Sequence, residues 1–165
     1  INEFNYTHLI NLSKNISFIW RNKDKETSIK NLIELRDFCK KNQRCFYISN
    51  DVKLAQKMNA DGVYISSTNK NLNLKTTNLK KNFRIIGSAH NLKEIKIKEL
   101  QNTEEIFLSP LFKKKTNKQL NIFRYLKLRA TTKMNDISLG GINNKNLKKL
   151  NMIKPFGFAG ISYFE

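Results

Sequence analysis

Short apolar segments alternate with longer amphipathic segments along the whole chain. The short segments are rich in Ile, Phe, Tyr and Val, and several are apolar without interruption, as strands buried on both faces are. The longer segments repeat apolar residues at helical spacing. Strands and helices that alternate in this way form a parallel sheet, so the chain is predicted to be an α/β protein.

The pattern predicts strands and helices in regular succession. The predicted strands are residues 16–20, 44–49, 62–65, 84–89, 105–109, 136–139 and 157–161. The predicted helices are residues 6–12, 27–41, 52–58, 92–100, 119–130 and 144–152, and residues 69–82 are predicted to be a polar loop or a frayed turn. In the second helix, Ile29, Leu32, Ile33, Leu35 and Phe38 are predicted to form one buried stripe.

A starting helix followed by this series of strands favours a (β/α)8 TIM-type barrel whose first strand is missing from this chain. The alternative is a doubly wound open sheet, which calls for a glycine-rich turn after the first strand. Residues 20–23 read Trp-Arg-Asn-Lys and contain no glycine. With 165 residues and no linker or change of composition, the chain is predicted to be one domain over residues 1–165.

Composition narrows the classes of function. The net charge is +18, but the lysines are scattered over every helix and accompany abundant Asn and Ile, so biased composition explains them better than a nucleic-acid partner does. No apolar run approaches the roughly 20 residues of a membrane span, and no secretory signal is recognisable. The two cysteines have no metal-ligand spacing. We expect a cytoplasmic protein, and a homo-oligomer is compatible with the sequence.

In a parallel barrel, function lies at the carboxyl ends of the strands. These ends carry groups that bind phosphate: cations, hydroxyls and backbone amides of glycine turns. The two glycine turns, at 139–142 and 157–162, predict a phosphate cradle formed by backbone N–H groups. Asp51 is the only carboxylate that directly follows a predicted strand, which makes it the candidate Mg²⁺ ligand. The simpler interpretations are that Asn50 and Asp51 cap a helix and that Arg21 is a solvated charge.

Five segments, 60–65, 85–94, 108–112, 139–142 and 157–162, resemble the thiamine phosphate synthase family, which includes thiazole tautomerase relatives. They occur in the family's order. The resemblance implies a (β/α)8 barrel and a transferase of thiamine biosynthesis. Such an enzyme uses Mg²⁺ to join hydroxymethylpyrimidine diphosphate to thiazole phosphate, with release of diphosphate. Phosphorylated pyrimidine and thiazole compounds are then the implied partners.

The resemblance also implies roles for single residues. Asp51 is the implied metal ligand, Ser88 faces the reacting substrate, and His90 occupies the place of a catalytic histidine in the tautomerase relatives. The implied substrate-binding residues are Arg21, Lys23, Asn50, Thr116, Lys118, Gly141, Ile161 and Ser162. Asn69 stands where the family has a second Mg²⁺ carboxylate.

Two alternatives stay open at this point. A thiazole phosphate tautomerase would use His90 and needs no metal site for a diphosphate. A barrel without catalytic activity would bind a thiamine precursor through the same glycine turns.

Overall fold

The computed structural model describes residues 5–21, 29–74, 79–112, 120–161 and 163–164. The chain divides into two compact units, Ile1–Ile65 with Leu74–Arg84, and Ser66–Asn73 with Ile85–Glu165. The prediction of a single domain therefore stays a prediction. None of the helices in the described ranges has the length and apolar character that a membrane span requires.

The first unit contains three parallel strands that pair in chain order, β1 with β2 and β2 with β3. Each strand except the last is followed by a helix, as in a run of βα repeats. The elements are α1 Tyr6–Ile10, β1 Phe18–Trp20, α2 Ile29–Lys41, β2 Phe46–Ser49, α3 Val52–Lys57 and β3 Gly62–Ile65.

Aromatic packing joins this sheet to its helices. Phe18 of β1 meets Phe38 of α2 edge to face, with ring centroids 6.2 Å apart. The guanidinium of Arg44 lies over both rings and donates to the carbonyl oxygens of Leu9 and Leu12, at 3.1 and 2.6 Å. Arg44 therefore fastens α1 to the core, which explains why this charged residue is only 5% exposed.

The second unit repeats the same design. Its four strands are parallel and pair in chain order, β4 with β5, β5 with β6 and β6 with β7. The elements are β4 Arg84–Ala89 (whose first residue belongs to the first unit), α4 Leu92–Leu100, β5 Glu105–Leu108, α5 Asn121–Arg129, β6 Asn135–Leu139, a 3-10 turn Leu147–Lys149, α6 Leu150–Ile153 and β7 Gly157–Ala159.

The core of the second unit lies between its strands and its helices. Ile106 and Leu108 of β5 pack there with Ile95 of α4 and Tyr125 of α5, all without exposed surface. The Tyr125 hydroxyl donates to Asp136 at 2.7 Å and accepts from Ser138 at 2.9 Å, so these three buried polar side chains are hydrogen-bonded to one another.

Most predicted elements are confirmed, and their ends differ from the predicted ones by at most three residues. One detail of α2 was wrong: Ile29 and Ile33 are 70% and 36% exposed, and Cys39 is buried instead. The buried stripe is Leu32, Leu35, Phe38 and Cys39. The helical period fixes which residues share a stripe, but the strands beneath determine which stripe is covered.

Candidate active site

The end of β2 places Asn50 and Asp51 at the surface of the first unit. Asn50 has a φ of 59°, a left-handed conformation that Asn tolerates better than most residues. Its N–H donates to the Tyr64 carbonyl at 2.7 Å, which ties the end of β2 to β3.

Asp51 is the N-cap of α3. Its Oδ1 accepts from the Leu54 N–H at 2.9 Å, so the capping interpretation of this residue is correct. Among the residues that the structure describes, no hydrogen bond reaches Oδ2. Capping therefore occupies one oxygen and leaves the other to a ligand.

Arg21 directly follows β1 and is exposed. Four of the other predicted site residues lie outside the described residues: Lys23, Thr116, Lys118 and Ser162. The predicted convergence of Arg21, Lys23 and Asp51 on one diphosphate therefore stays a prediction.

Ser88 is buried near the end of β4, on the face turned away from α4. The neighbouring Gly87 faces that helix, because a Cβ there would lie 2.8 Å from Lys98 Cδ. Side chains alternate along a strand, so Ser88 points to the opposite side, together with its register partner Phe107. In a (β/α)8 barrel the side opposite the helices is the interior. The predicted contact of Ser88 with a substrate stays a prediction.

His90 lies at the same strand end and is paired with Glu94. The Glu94 Oε2 lies 2.9 Å from His90 Nδ1 and accepts from the His90 N–H at 2.7 Å. Partial burial would by itself raise the pKa of the Glu94 carboxyl, but hydrogen bonds from His90 and Asn91 outweigh it and lower the pKa. The Glu94 carboxylate therefore holds the imidazole ring of His90 in one orientation through Nδ1.

The turn after β6 contains two glycines with positive φ, Gly140 at 98° and Gly141 at 70°. Gly140 permits a close approach, since a Cβ there would lie 2.8 Å from Pro110. The Gly141 carbonyl accepts from the Asn146 side chain at 2.7 Å. No hydrogen bond from a described residue involves the Gly141 N–H, which is the open donor that a phosphate cradle needs.

The turn after β7 is the second half of the predicted cradle. Ile161 is 51% exposed, just beyond Gly160. Tyr163 and Phe164 follow and pack their rings on Phe158 of β7, with centroids 5.3 and 5.8 Å apart. These ring contacts hold the turn against the strand from which it leaves.

Sequence reasoning missed the polar residues that support the site from behind. These residues are Glu94, Lys98, Gln101 and Asn146, and the sequence analysis singled out none of them. The one available signal was Gly87, because a glycine inside a strand marks a close approach by another element. Here that element is α4 with Lys98.

A metal ion would find few charged ligands in the described part of the chain. No group of three or more His, Cys, Asp or Glu residues is placed to hold a metal there. Asp51, with one open oxygen, is the single carboxylate that directly follows a strand among the predicted site residues.

Comparison with known proteins supports the family that the sequence resembles. A family model described as thiamine monophosphate synthase matches residues 12–164. The thiamine-phosphate synthase of Pelagibacter ubique is 31% identical, across 98% of this chain and 81% of the relative. The thiamine-phosphate synthase of a Hydrogenobaculum species is 26% identical, across 89% of this chain and 70% of the relative.

A solved structure shows the fold. The thiamine phosphate pyrophosphorylase from Pyrococcus furiosus superposes with a TM-score of 0.74 over 93% of this chain and 75% of that chain, at 18% identity. The predicted fold class, an α/β (β/α)8 TIM-type fold, is thereby confirmed, and so is the predicted class of transferase in thiamine biosynthesis. With its family model matched over almost its whole length, the chain belongs to the thiamine monophosphate synthase family.

Proposed function

We propose that the protein is a thiamine-phosphate synthase that joins hydroxymethylpyrimidine diphosphate to thiazole phosphate. Family membership supports the reaction class. The main structural support for the proposal is the turn after β6. There the Gly141 N–H is open to a phosphate, and the Asn146 side chain donates a hydrogen bond to the Gly141 carbonyl.

The reaction breaks one bond and forms one. The C–O bond between the pyrimidine methylene and the diphosphate breaks, and its electron pair leaves with the diphosphate. The thiazole nitrogen donates its lone pair to the same carbon and forms the C–N bond. The main demand on the protein is to stabilise negative charge on the leaving group, and Arg21 and Lys23 are proposed to do so.

The residues present fit Mg²⁺ as the accompanying ion. Mg²⁺ in proteins usually keeps several waters and is held by one or two carboxylates together with substrate phosphates. Asp51 supplies one carboxylate whose Oδ2 is not used in capping, and the diphosphate would supply the rest. When bound, the ion would neutralise charge on the departing diphosphate.

The remaining residues bind and orient the two substrates. Asn50 would contact the pyrimidine compound beside Asp51, and the buried Ser88 hydroxyl would face the reacting atoms. The thiazole phosphate would lie in the cradle of Gly141, Ile161 and Ser162, with Thr116 and Lys118 adding a hydroxyl and a charge.

The test is a direct assay of the purified protein with both substrates and Mg²⁺. We expect release of diphosphate in step with formation of thiamine phosphate, and neither product when one substrate is left out. Diphosphate release without thiamine phosphate, or no consumption of the pyrimidine compound at any Mg²⁺ concentration, would refute the proposal.

A second candidate, a thiazole phosphate tautomerase, is favoured by the His90–Glu94 pair. Its carboxylate-oriented imidazole, with Nδ1 2.9 Å from Oε2, is an arrangement that moves protons. A synthase needs no such proton acceptor, so the pair is the observation that separates the two functions.

The prediction for this candidate concerns His90→Asn. If the protein interconverts thiazole tautomers, this variant should lose roughly 100-fold in rate, the usual contribution of a general base. His8→Asn in α1 is the matched control and should keep the full rate. A tautomerase rate that is unchanged in His90→Asn would exclude His90 as the general base. A synthase rate that is unchanged in this variant would favour the first function.

A further inference from the structure

The backbone N–H of Ile142, which follows the two glycines of the turn after β6, has no acceptor among the residues that the structure describes. Ile142 is nevertheless only 5% exposed, because its side chain belongs to the core of the second unit. A buried residue rarely leaves its N–H unpaired, since the hydrogen bond to water that is lost on burial has to be replaced. The position therefore calls for an acceptor that a bound molecule supplies.

The direction of the Ile142 N–H is fixed through the carbonyl of the preceding residue. The Gly141–Ile142 peptide is trans, and in a trans peptide the C=O and the N–H point in opposite directions. The Asn146 side chain donates from Nδ2 to the Gly141 carbonyl oxygen at 2.7 Å. The Ile142 N–H therefore points away from Asn146, and the bond from Asn146 keeps the peptide plane from turning.

Asn146 is itself held in place by a reciprocal pair of hydrogen bonds with Asn143. The Asn146 Oδ1 accepts from the Asn143 N–H at 2.9 Å, and the Asn146 N–H donates to the Asn143 Oδ1 at 3.2 Å. Because Oδ1 faces a donor, Nδ2 is the atom that faces the Gly141 carbonyl. The side chain is thus oriented before any ligand arrives, which lowers the entropy that binding costs.

The peptide before it is held in the same way by the backbone. The Gly140 carbonyl accepts from the Phe112 N–H at 3.0 Å, so the Gly141 N–H, in the same peptide plane, points away from Phe112. Two consecutive peptides thus have their carbonyls bonded to the protein, while their N–H groups are unpaired within the described ranges. An anion with several acceptor oxygens, such as a phosphate group, is the class of ligand that suits consecutive N–H donors.

We propose that the Ile142 N–H is a second backbone donor to the phosphate of thiazole phosphate, beside the Gly141 N–H, and that Asn146 is the positioning residue that orients it. The inference rests on the proposed function and adds to it one donor and one supporting side chain. Gly141, Ile142 and Asn146 all belong to the second unit, as does Ile161.

The first experiment uses the unchanged protein and needs no turnover. In amide NMR spectra, titration with thiazole phosphate should move the Ile142 and Gly141 amide protons downfield, because each gains a hydrogen bond to a charged oxygen. The amide proton of Asn144, in the same turn, should stay in place. The thiazole alcohol that lacks the phosphate, at the same concentration, should move neither the Ile142 nor the Gly141 amide proton downfield.

The second experiment tests the positioning residue by calorimetry. Asn146→Ala removes the donor to the Gly141 carbonyl, and Asn144→Ala, at an exposed position of the same turn, is the matched control. We expect Asn146→Ala to bind thiazole phosphate about tenfold more weakly, as loss of one well-aligned hydrogen bond to a charged group predicts. Its binding of hydroxymethylpyrimidine diphosphate with Mg²⁺ should stay within about twofold of the unchanged protein. Asn144→Ala should bind both ligands normally.

A purely structural role of Asn146 would weaken both ligands together. If Asn146→Ala does not fold, Asn146→Gln, which carries the same amide on a longer side chain, should show the same separation at smaller size. The NMR titration of the unchanged protein does not depend on either variant.

The inference would be overturned by an Ile142 amide proton that thiazole phosphate does not move, by undiminished binding of thiazole phosphate to Asn146→Ala, by equal loss of both ligands, or by no binding of thiazole phosphate to the unchanged protein. If thiamine phosphate forms but the Ile142 amide proton does not move, the proposed synthase activity stands and the inference fails. If the amide proton moves and Asn146→Ala weakens thiazole phosphate alone, but no thiamine phosphate forms, the inference stands and the proposed synthase activity fails.

Discussion

Asp51 shows how one side chain can serve the helix and the proposed site together. Its Oδ1 caps α3 through the Leu54 N–H, so the carboxylate is held in a single orientation at the end of β2. A capped carboxylate has already lost its freedom before a ligand arrives, which favours binding through Oδ2. The two interpretations of Asp51 are therefore compatible.

The roles of Asp51 can be separated by two substitutions. Asp51→Asn keeps a good N-cap but removes the charge, and it should lower Mg²⁺-dependent turnover by roughly 100-fold or more while the melting temperature stays unchanged. Asp51→Ala removes the cap as well and should cost about 1 kcal/mol of unfolding free energy. Full turnover in Asp51→Asn would show that this carboxylate is a cap only.

At the scale of elements, the carboxyl ends of the strands carry the proposed chemistry and the helices hold those ends in place. The turn after β6 depends on two glycines with positive φ, and one of them packs against Pro110. Helix α4 supplies Glu94 and Lys98 on the side that faces its neighbours. Binding groups on loops thus acquire fixed positions from a rigid scaffold.

The β6 turn can be tested by adding a side chain at Gly141. Gly141→Asn keeps a residue that tolerates a φ of 70°, whereas Gly141→Val does not. We expect Gly141→Asn to weaken binding of thiazole phosphate about tenfold by obstructing the approach to the N–H, with the pyrimidine diphosphate unaffected. Gly141→Val should in addition lower stability. Unweakened thiazole phosphate binding in Gly141→Asn would place the cradle elsewhere.

At the scale of the whole molecule, the charge and the buried thiol bear on stability. A net charge of +18 favours solubility, and we expect it to attract anionic substrates. That the protein has no nucleic-acid partner stays a prediction. Cys39 is 1% exposed, and burial raises the pKa of its thiol from 9.0 to about 12, with the Arg44 charge opposing part of the shift. A cytoplasmic location and a homo-oligomer stay predictions.

Cys39 predicts a loss of stability in alkali. The pKa of the Cys39 thiol is higher in the folded state than in the unfolded state. The contribution of this thiol to the free energy of unfolding is therefore fully present below pH 9 and is lost as the pH rises toward 12. Between pH 8 and pH 10 the unchanged protein should lose about 1 kcal/mol more unfolding free energy than Cys39→Ala. Cys45→Ala, at an exposed position, should keep the steeper dependence. Equal pH dependence in the unchanged protein and Cys39→Ala would contradict the shift.

The sequence by itself determined the order of strands and helices and the residues at the strand ends. Local rules suffice there: apolar runs fix strands, Asn and Asp before an apolar repeat fix helix starts such as Asp51 and Asn91, and paired glycines fix the β6 turn. Only the tertiary structure decided which side chains are buried and which residues they contact next to those strand ends. The burial of Lys98, its bond to Asn69 and the exposure of Ile29 depend on which elements pack together, because a periodic pattern specifies a face but not the neighbour that covers it.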